Sequence, residues 1–317
     1  MRTFLSCDWG TSTFRLRLVR SSDLHILAET THAGGIADTY QRWAASGRTA
    51  ERFTFYATIL QKRIKQLAGE YGQSLAGIPV VLSGMASSSI GMKELPYQPL
   101  PIHTDGRDMF VERLQVEGTM NPTIIISGIT TGDDVMRGEE TKILGCSSLL
   151  AETSGEQLVL LPGTHAKHAV IRQGKIIRFN THMTGEFFKL LSEHSVLATS
   201  VEKGGDFDAP ANRVYFRKGV ETGSTFGLLH SAFHVRTNQL LKDVPKTANF
   251  YYLSGLLIGY ELRDIPLHMP VYLVSGAGHQ ALYQVAMEQL RVPLAATMDA
   301  DSALIAGQYM MLSRDNW

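Results

Sequence analysis

The residues with the clearest chemical potential form a short polar turn, Asp8 to Ser12, near the start of the chain. Apolar runs on either side, Phe4 to Cys7 and Phe14 to Arg20, predict two strands joined by this turn. A glycine at a strand end lets the backbone approach a bulky anion, and successive N–H groups around it form an anion-binding concavity. Nearby hydroxyl groups and a guanidinium would add donors. The predicted phosphate-binding residues are Gly10, Thr11, Ser12 and Arg15.

Asp8 stands at the beginning of the same turn, where its carboxylate would repel a phosphate placed directly against it. A carboxylate beside phosphates typically holds Mg²⁺, which keeps several waters and uses few protein ligands. We therefore expect Asp8 to be a metal residue. The alternative, a polar β-turn without a ligand, is the commoner outcome for an isolated D-x-G-T pattern.

A second turn of the same kind begins the other half of the chain. The pair Gly163-Thr164 stands 153 residues after Gly10-Thr11, and apolar strand positions follow both pairs. Leu161 occupies the position of Asp8, so this turn could donate hydrogen bonds to a phosphate but not hold a cation. Gly163, Thr164 and His165 are its predicted ligand-binding residues. The repetition favours two related domains.

A third glycine pattern, VSGAGHQAL around Gly276 and Gly278, follows an apolar run that begins at Val271. Its G-x-G-x-x-A spacing is typical of dinucleotide-binding turns. Such a turn opens a βαβαβ half in dehydrogenases, but only 39 residues follow Gly278. These residues are too few for such a half, so we do not expect a dehydrogenase. The sequence also contains no G-x-x-x-x-G-K-[ST] phosphate loop. The glycines are expected to seat a nucleotide of another kind.

The segment ITTGDDVMRGEETKILG carries the densest group of acids. We predict that it leaves a buried strand and enters a helix, Met136 to Leu150, with the acids near the helix start. Acids at that place are also favoured by the helix dipole, so a capped and solvated helix start is the structural alternative. The candidate catalytic acids are Asp134, Glu139 and Glu140. No zinc site is expected, since His165 and His168 would point to opposite faces of a strand and His230 and His234 lack the Glu of H-E-x-x-H.

Alternating strand and helix patterns predict an α/β protein with two domains. Helices are predicted at Phe53 to Tyr71 and, later, at Gly185 to Glu193, Gly227 to Asn238, Thr247 to Leu262, Gln280 to Leu290 and Asp301 to Leu312. The polar run AETSGEQ, Ala151 to Gln157, is the expected boundary, which gives domains at 1–152 and 153–317.

Composition narrows the classes of function. The 30 basic and 30 acidic residues cancel, so no overall field would attract nucleic acid or a membrane. Two distant cysteines, Cys7 and Cys146, suit a reducing, cytoplasmic setting. No apolar run approaches the 18 residues expected of a membrane span, and the N-terminus lacks the pattern of a signal peptide. A small anionic substrate remains compatible with these features.

Seven segments together resemble one family: DWGTSTFRLRLV, SGM, DVMRGEET, LLPGTHAKHAVI, THMTGEFFKLL, YLSGLLIGYEL and VSGAGHQALY. They resemble the 2-dehydro-3-deoxygalactonokinase family, bacterial sugar-acid kinases of the actin, heat-shock chaperone and sugar kinase superfamily. The segments occur in the family order and span nearly the whole chain. The stretch Ser83 to Tyr97 departs from the S-R-Q-G-W-type run of better-known members.

The resemblance implies two ribonuclease H-like (actin-like ATPase) domains with a nucleotide cleft between them, and ATP and Mg²⁺ as cofactors. The turns at Asp8 and Gly163 would be the two phosphate motifs, and Gly276 and Gly278 the adenosine motif. The helix 301–312 would return to the first domain. Glu139 is the expected base, because distant exopolyphosphatase relatives carry a catalytic Glu in a comparable segment. Asp134 and Glu140 are the alternative candidates for this role. The expected substrate-binding residues are Gly84, Ser87, Ser88, Arg137, Thr184 and Glu186.

The expected activity is ATP-dependent phosphorylation of the terminal (6-) hydroxyl of 2-dehydro-3-deoxy-D-galactonate or a close sugar acid, by a monomer or a homodimer. A kinase for another sugar, an exopolyphosphatase-like phosphohydrolase and a non-catalytic actin-type assembly protein are the alternatives. Activity that depends on a sugar acid would distinguish the expected sugar-acid kinase from the phosphohydrolase and from the assembly protein.

Overall fold

The computed structural model describes residues 2–47, 50–115 and 121–314. The chain divides into two compact units. Unit 1 comprises Met1–Leu150, Gly174–Arg178 and Ala300–Trp317, and unit 2 comprises Ala151–Gln173 and Phe179–Asp299. The final helix is thus grouped with the first half of the chain.

Unit 1 is built on a six-stranded sheet in the order β3-β2-β1-β4-β8-β7. Its larger elements are β1 (Thr3–Trp9), β2 (Thr13–Arg20), β3 (Ile26–Ala33), α1 (Ile36–Ala45), α2 (Arg52–Tyr71), β4 (Val80–Gly84), β7 (Val111–Gln115), β8 (Pro122–Ile126), α3 (Glu139–Gly145) and α10 (Ala300–Ser313). Short strands are β5 (Gln98–Pro99), β6 (Ile102–His103), β9 (Ile129–Thr130) and β10 (Val135–Met136). Strands β1 to β3 are antiparallel neighbours, whereas β1, β4 and β8 run parallel.

Unit 2 contains a second sheet, in which β15, β14, β11, β12 and β13 are neighbours in that order. Its elements are β11 (Glu156–Leu161), β12 (Ala166–Arg172), β13 (Lys175–His182), α4 (Thr184–His194), α5 (Pro210–Thr225), α6 (Leu228–Ala232), α7 (His234–Lys242), α8 (Lys246–Leu262), β14 (Val271–Ser275), α9 (Ala277–Leu290) and β15 (Leu294–Asp299). The first residues of β13 are grouped with unit 1, where Lys175 and Ile176 pair with β6.

The two sheets share one topology. In each, an antiparallel hairpin is followed by a strand parallel to its first member and then by another parallel strand. The strand order β3-β2-β1-β4-β8 of unit 1 therefore corresponds to β13-β12-β11-β14-β15 of unit 2. The turns at Gly10 and Gly163 occupy the same position, between the first and second strands of each sheet.

The helices α5 and α8 of unit 2 are packed with their backbones almost in contact. A Cβ atom at Gly219 or Gly223 of α5, or at Gly255 or Gly259 of α8, would lie 2.0–2.3 Å from a carbonyl oxygen of the opposite helix. The glycines alternate between the two helices, so neither side chain nor solvent separates them. This packing explains the two glycines in the segment YLSGLLIGYEL.

Several expected helices need correction. The predicted helix from Met136 to Leu150 is limited to α3, because residues 135–136 form β10 and a 3₁₀ turn follows at 147–149. The predicted helix from Gly227 to Asn238 is two helices, α6 and α7, which meet at Phe233. The hydrophobic periodicity of the sequence did not predict α1 or α5. None of the helices in the described residues is both long and apolar enough to cross a membrane.

Candidate active site

The hairpin of β1 and β2 separates an apolar face from a polar face. Leu5, Cys7 and Trp9 alternate with polar residues and belong to a core that includes residues of α1 and α2. On the other face, Asp8 pairs with Arg15 and Ser6 pairs with Arg17 across the antiparallel ladder. Directly opposite residues share one face of a sheet. The period-2 pattern thus gathers the charged groups of the first phosphate motif on the face away from that core.

The predicted phosphate turn is held by backbone hydrogen bonds. The N–H of Gly10 donates to the carbonyl of Thr13 at 3.0 Å, and the N–H of Ile36 donates to the carbonyl of Gly10 at 2.9 Å. Gly35 makes this contact possible, because a Cβ there would lie 2.4 Å from the carbonyl oxygen of Thr11. The side chains of Thr11 and Ser12 are exposed at the tip of the turn, where their hydroxyls can meet a ligand.

Two arginines behind the turn are already paired with carboxylates. Nη1 of Arg15 donates to both carboxylate oxygens of Asp301, at 2.9 and 2.7 Å. The fully buried Arg17 pairs with Glu29 at 2.5 Å and with Asp301 at 2.6 Å. Arg15 was predicted to bind phosphate, but in the structure its charge is neutralised by the first turn of α10.

Asp8 lies on β1 directly beside Gly84, the last residue of β4. Asp8 pairs with Ser83 across the parallel strands, and a Cβ at Gly84 would lie 3.4 Å from Oδ1 of Asp8. Gly84 has a φ of +81°, a conformation that disfavours any side chain. Burial raises the pKa of Asp8, and the nearby cations, Lys142 first among them, only partly oppose this effect. A single carboxylate such as that of Asp8 is compatible with Mg²⁺, which needs only one or two protein carboxylates.

The acidic segment that contains Glu139 and Glu140 contacts Gly84 through Gly138. A Cβ at Gly138 would lie 3.0 Å from the Cα of Gly84, so α3 begins directly against the end of β4, next to the strand β1 that carries Asp8. The expected position of Asp134 near the helix start was wrong. Asp134 lies in the hairpin between β9 and β10, and its Oδ1 accepts from the N–H of Val135 at 2.7 Å.

The two glutamates at the start of α3 have different environments. Glu140 is 1% exposed and accepts from the N–H of Gly138 at 2.7 Å and from the hydroxyl of Thr141 at 3.0 Å. Burial, together with the charge of Glu139, raises the pKa of Glu140 to about 7. Glu139 is partly exposed, and its Oε2 accepts from the N–H of Arg137 at 3.1 Å. Of this pair, only Glu139 is partly exposed.

The serines of the Ser83 to Tyr97 stretch face inward, against the expectation that they contact a polyol. Ser87 is fully buried, and its hydroxyl and carbonyl oxygens each accept from Nη1 of Arg137 at 2.6 Å. The hydroxyl of Ser88 donates to the carbonyl of Met85 at 2.8 Å. Arg137 also lies over the ring of Tyr97, 4.1 Å from its centroid. Ser87 therefore fixes the guanidinium of Arg137, and the hydroxyl of Ser88 is used by the backbone.

In unit 2 the turn at Gly163 lies against the start of α4. A Cβ at Gly185 would lie 2.5 Å from the carbonyl oxygen of Gly163, and the N–H of Glu186 donates to the carbonyl of Thr164 at 3.0 Å. The imidazole of His165 is hydrogen-bonded to the carboxylate of Glu186. Residues predicted for the phosphate and for the sugar acid are thus neighbours in this unit.

A buried glutamate that the sequence did not single out organises this region. Glu261 on α8 accepts from His168 at 2.9 Å, from Tyr283 at 2.8 Å and from the hydroxyl of Thr184. Burial raises the pKa of Glu261, but the hydrogen bonds and the charge of His168 outweigh it and hold that pKa below its ordinary value. The carboxylate of Glu261 therefore connects β12, α4 and α9 through hydrogen bonds. Thr184 was predicted to bind the sugar acid, but its hydroxyl is used by Glu261.

A cavity of about 430 Å³ opens beside these residues in unit 2. Gly163, Thr184, Gly185 and Gly278 line it, together with aromatic and aliphatic side chains that include Phe250, Tyr251 and Leu257. Ligand pockets typically have volumes of roughly 300–1,000 Å³ and mostly apolar walls. Nothing lies within 4 Å of a Cβ built at Gly276 or at Gly278. The cavity thus joins the second phosphate turn to the third glycine pattern.

The histidine pairs have structural partners. His168 stacks on His182 with ring centroids 4.2 Å apart, and His230 meets His234 edge to face at 5.0 Å. In the part of the chain that the structure describes, no group of three or more His, Cys, Asp and Glu side chains is arranged to hold a metal ion. A cation at Asp8 would accordingly take most of its coordination from water and from substrate phosphates.

These features define a class of protein: a mixed α/β enzyme with a polar glycine turn at the equivalent hairpin of each unit, carboxylates beside one turn and a cavity beside the other. The 2-keto-3-deoxy-galactonokinase family matches residues 8–311, and the chain belongs to this family. The predicted family is confirmed. As a member of this family, the protein is an ATP-dependent sugar-acid kinase, a phosphotransferase that acts on a hydroxyl group.

Relatives of known name agree with the family. The chain is 30% identical to a Rhizobium meliloti protein assigned as 2-dehydro-3-deoxygalactonokinase DgoK1, over 96% of this chain and 94% of the relative. It is 34% identical to the 2-dehydro-3-deoxygalactonokinase of Escherichia coli, over 72% of this chain and 76% of the relative. A crystal structure of a protein assigned to the same activity in Sinorhizobium meliloti superposes with a TM-score of 0.79 at 28% identity, covering 99% of this chain and 97% of that one.

Proposed function

We propose that the protein transfers the γ-phosphoryl group of ATP to the terminal 6-hydroxyl of 2-dehydro-3-deoxy-D-galactonate or a close 2-keto-3-deoxy sugar acid. The observation that carries the proposal is the pair of equivalent glycine turns. Asp8 begins the turn at Gly10, the helix start that carries Glu139 packs against Gly84 beside Asp8, and the turn at Gly163 opens onto a cavity of nucleoside size. The recurrence of the strand order supports a ribonuclease H-like fold for each unit.

The cavity of unit 2 is the proposed site of the nucleoside. Its walls of Phe250, Tyr251 and Leu257 would bury an adenine ring, whose flat apolar faces match such surroundings. Gly278 leaves room for the ribose, and the backbone at Gly163 would donate to the phosphates. Because Thr184 and Gly185 line the same cavity, we assign them to the nucleotide rather than to the sugar acid.

Unit 1 is the proposed site of the metal and of the proton transfer. Asp8 would hold Mg²⁺ at the end of β1, and the ion would neutralise phosphate charge when bound. Thr11 and Ser12 would donate their hydroxyls to a phosphate. Glu139, the exposed member of the acidic pair, would accept the proton of the sugar hydroxyl. Glu140, held by the backbone of Gly138, would fix the geometry of the helix start.

The sugar acid is proposed to bind near Gly84 and Arg137. The guanidinium of Arg137 is positioned by Ser87 and Tyr97 before any ligand arrives, so a carboxylate would meet an ordered cation. Glu186, hydrogen-bonded to His165, stays a candidate for sugar hydroxyl groups.

A coupled assay of ADP release tests the function. The wild-type protein, with ATP and Mg²⁺, is offered a panel of 2-keto-3-deoxy sugar acids that differ in stereochemistry and chain length. ADP release that requires the galactonate-derived acid, with phosphate found on its 6-oxygen by mass spectrometry and NMR, supports the proposal. Equal ADP release without any sugar acid would instead indicate a phosphohydrolase.

A further inference from the structure

The apolar wall of the cavity in unit 2 carries one buried hydroxyl group, that of Ser254 on α8. Ser254 lines the cavity, and only 9% of the residue is exposed. Phe250 and Ile258, four residues before and after it, line the same cavity. Residues four apart on a helix share one side, so the hydroxyl lies between two apolar side chains of the wall that we assign to the base.

The other polar side chains of this cavity are either used by the protein or exposed. Three of them are hydroxyls that already donate to protein acceptors, those of Thr184, Tyr251 and Tyr283. Two more are exposed side chains, Lys203 and His279. Among the polar side chains of the cavity, Ser254 therefore combines burial with a hydroxyl that is still available.

The hydroxyl of Ser254 has no hydrogen-bond partner within residues 2–47, 50–115 and 121–314. Serine and threonine inside a helix often donate to the carbonyl one turn earlier. Thr222 and Thr225 of α5 do so, each at 2.8 Å, whereas Ser254 does not. A buried hydroxyl without a partner loses the hydrogen bonds that water would give it. The position is therefore suited to a polar atom of a ligand.

The position of Ser254 along α8 indicates which part of a nucleotide it would meet. Glu261, seven residues later, accepts from Thr184. The next residue, Gly185, packs against Gly163 of the second phosphate turn. Seven residues span two helical turns, about 10 Å along the axis. Ser254 thus lies two turns away from the phosphate end of the cavity, where the base of a nucleotide would be.

We infer that the hydroxyl of Ser254 forms a hydrogen bond with the edge of adenine that carries N1 and the 6-amino group, which makes Ser254 a residue that determines base specificity. The inference rests on the proposed function, which places the nucleoside in this cavity. N1 and the 6-amino group lie on the side of the ring away from the ribose. A serine hydroxyl can accept from the amino group or donate to N1.

The test combines one substitution with nucleotides that each lack one polar atom. Ser254→Ala removes the hydroxyl and should not unfold α8, since alanine favours helices more than serine does. Ser224→Ala is the matched control, because the hydroxyl of Ser224 on α5 donates to the carbonyl of Glu221. The ligands are ADP, 1-deaza-ADP, purine riboside diphosphate without the 6-amino group, 7-deaza-ADP and 2′-deoxy-ADP. Affinities are measured by calorimetry, with thermal denaturation as a check of folding.

Ser254→Ala should weaken ADP roughly 3- to 10-fold, the effect of one neutral hydrogen bond, while Ser224→Ala binds ADP like the wild type. The loss should vanish for 1-deaza-ADP or for the analogue without the amino group, and persist for 7-deaza-ADP and 2′-deoxy-ADP. A purely structural effect would weaken all five ligands equally. That result, an unchanged affinity for ADP, or a loss that vanishes only with 7-deaza-ADP or 2′-deoxy-ADP would overturn the inference. If the wild type binds ADP but phosphorylates no sugar acid, the proposed reaction fails and the titrations still decide the role of Ser254.

Discussion

The cavity of unit 2 makes a direct prediction for the variant Gly278→Val. Gly278 lines the cavity, and a Cβ built on it meets no atom within 4 Å. The valine side chain therefore fits without disturbing the protein and occupies space that a nucleoside would fill. Gly278 lies in the first turn of α9, where valine forms a helix at least as well as glycine does. The fold should keep its stability while the cavity loses volume.

The size of the effect follows from the cost of overpacking. Forcing extra methyl groups into a fitted site costs roughly 1–3 kcal/mol. Because about 1.4 kcal/mol corresponds to a tenfold change in affinity, the Kd of ATP should rise roughly 5- to 150-fold. The smaller variant Gly278→Ala adds one methyl group and should give a smaller increase. Binding of the sugar acid, which we assign to unit 1, should change little.

The assay is calorimetric titration of ADP and of a non-hydrolysable ATP analogue into the wild type and the variants. Gly69→Val provides the matched control, since Gly69 is an exposed helix glycine in α2 with open space around its Cβ. Nucleotide affinity within twofold of the wild type in Gly278→Val, with an unchanged melting temperature, would refute the assignment of the cavity.

Three further predictions concern the buried acids. Glu140 has a pKa of about 7 in the folded protein, against 4.5 as the ordinary value, so the stability that its neutral form contributes is complete below about pH 4.5 and is lost as the pH rises through 7. The free energy of unfolding of the wild type should therefore fall, relative to Glu140→Gln, by of order 3 kcal/mol between pH 5 and pH 8 in urea titrations, and parallel curves would contradict this. Asp8→Asn should lower the apparent affinity for Mg²⁺ by roughly 100-fold, read from the Mg²⁺ dependence of kcat, and an unshifted dependence would exclude Asp8 as a ligand. Glu261→Gln should destabilise the protein by roughly 3 kcal/mol because it removes a buried charge from its hydrogen-bond donors, and thermal denaturation with an unchanged midpoint would count against that role.

The first phosphate motif was predictable because its chemistry is local. A glycine turn between two alternating strands needs no distant partner to present its N–H groups, and the period-2 pattern of β1 and β2 already separates Asp8 from the core. The turn at Gly163 was recognisable for the same reason, since the repeat at a fixed distance along the chain reflects a repeated topology. Short apolar runs likewise predicted β1 and β2.

Contacts between distant segments were beyond the reach of such patterns. The hairpin that carries Asp134 interrupts a run of acids that looked like one helix start, because β9 and β10 form hydrogen bonds that local helix propensity does not anticipate. Serines in the Ser83 to Tyr97 stretch were expected to contact a polyol, but the hydroxyl of Ser87 accepts from Arg137, 50 residues away, and that of Ser88 donates to Met85.

The family, the two glycine turns and the alternation of the strands could be predicted from the amino-acid pattern, because each is carried by short segments of neighbouring residues. The pattern could not predict which side chains remain available for chemistry. In the folded protein Glu140 is buried whereas Glu139 is partly exposed, Asp301 neutralises Arg15, and Glu261 accepts from the hydroxyl of Thr184. The role of a polar group depends on whether a partner satisfies it, and in a folded chain that partner often comes from an element far away in sequence.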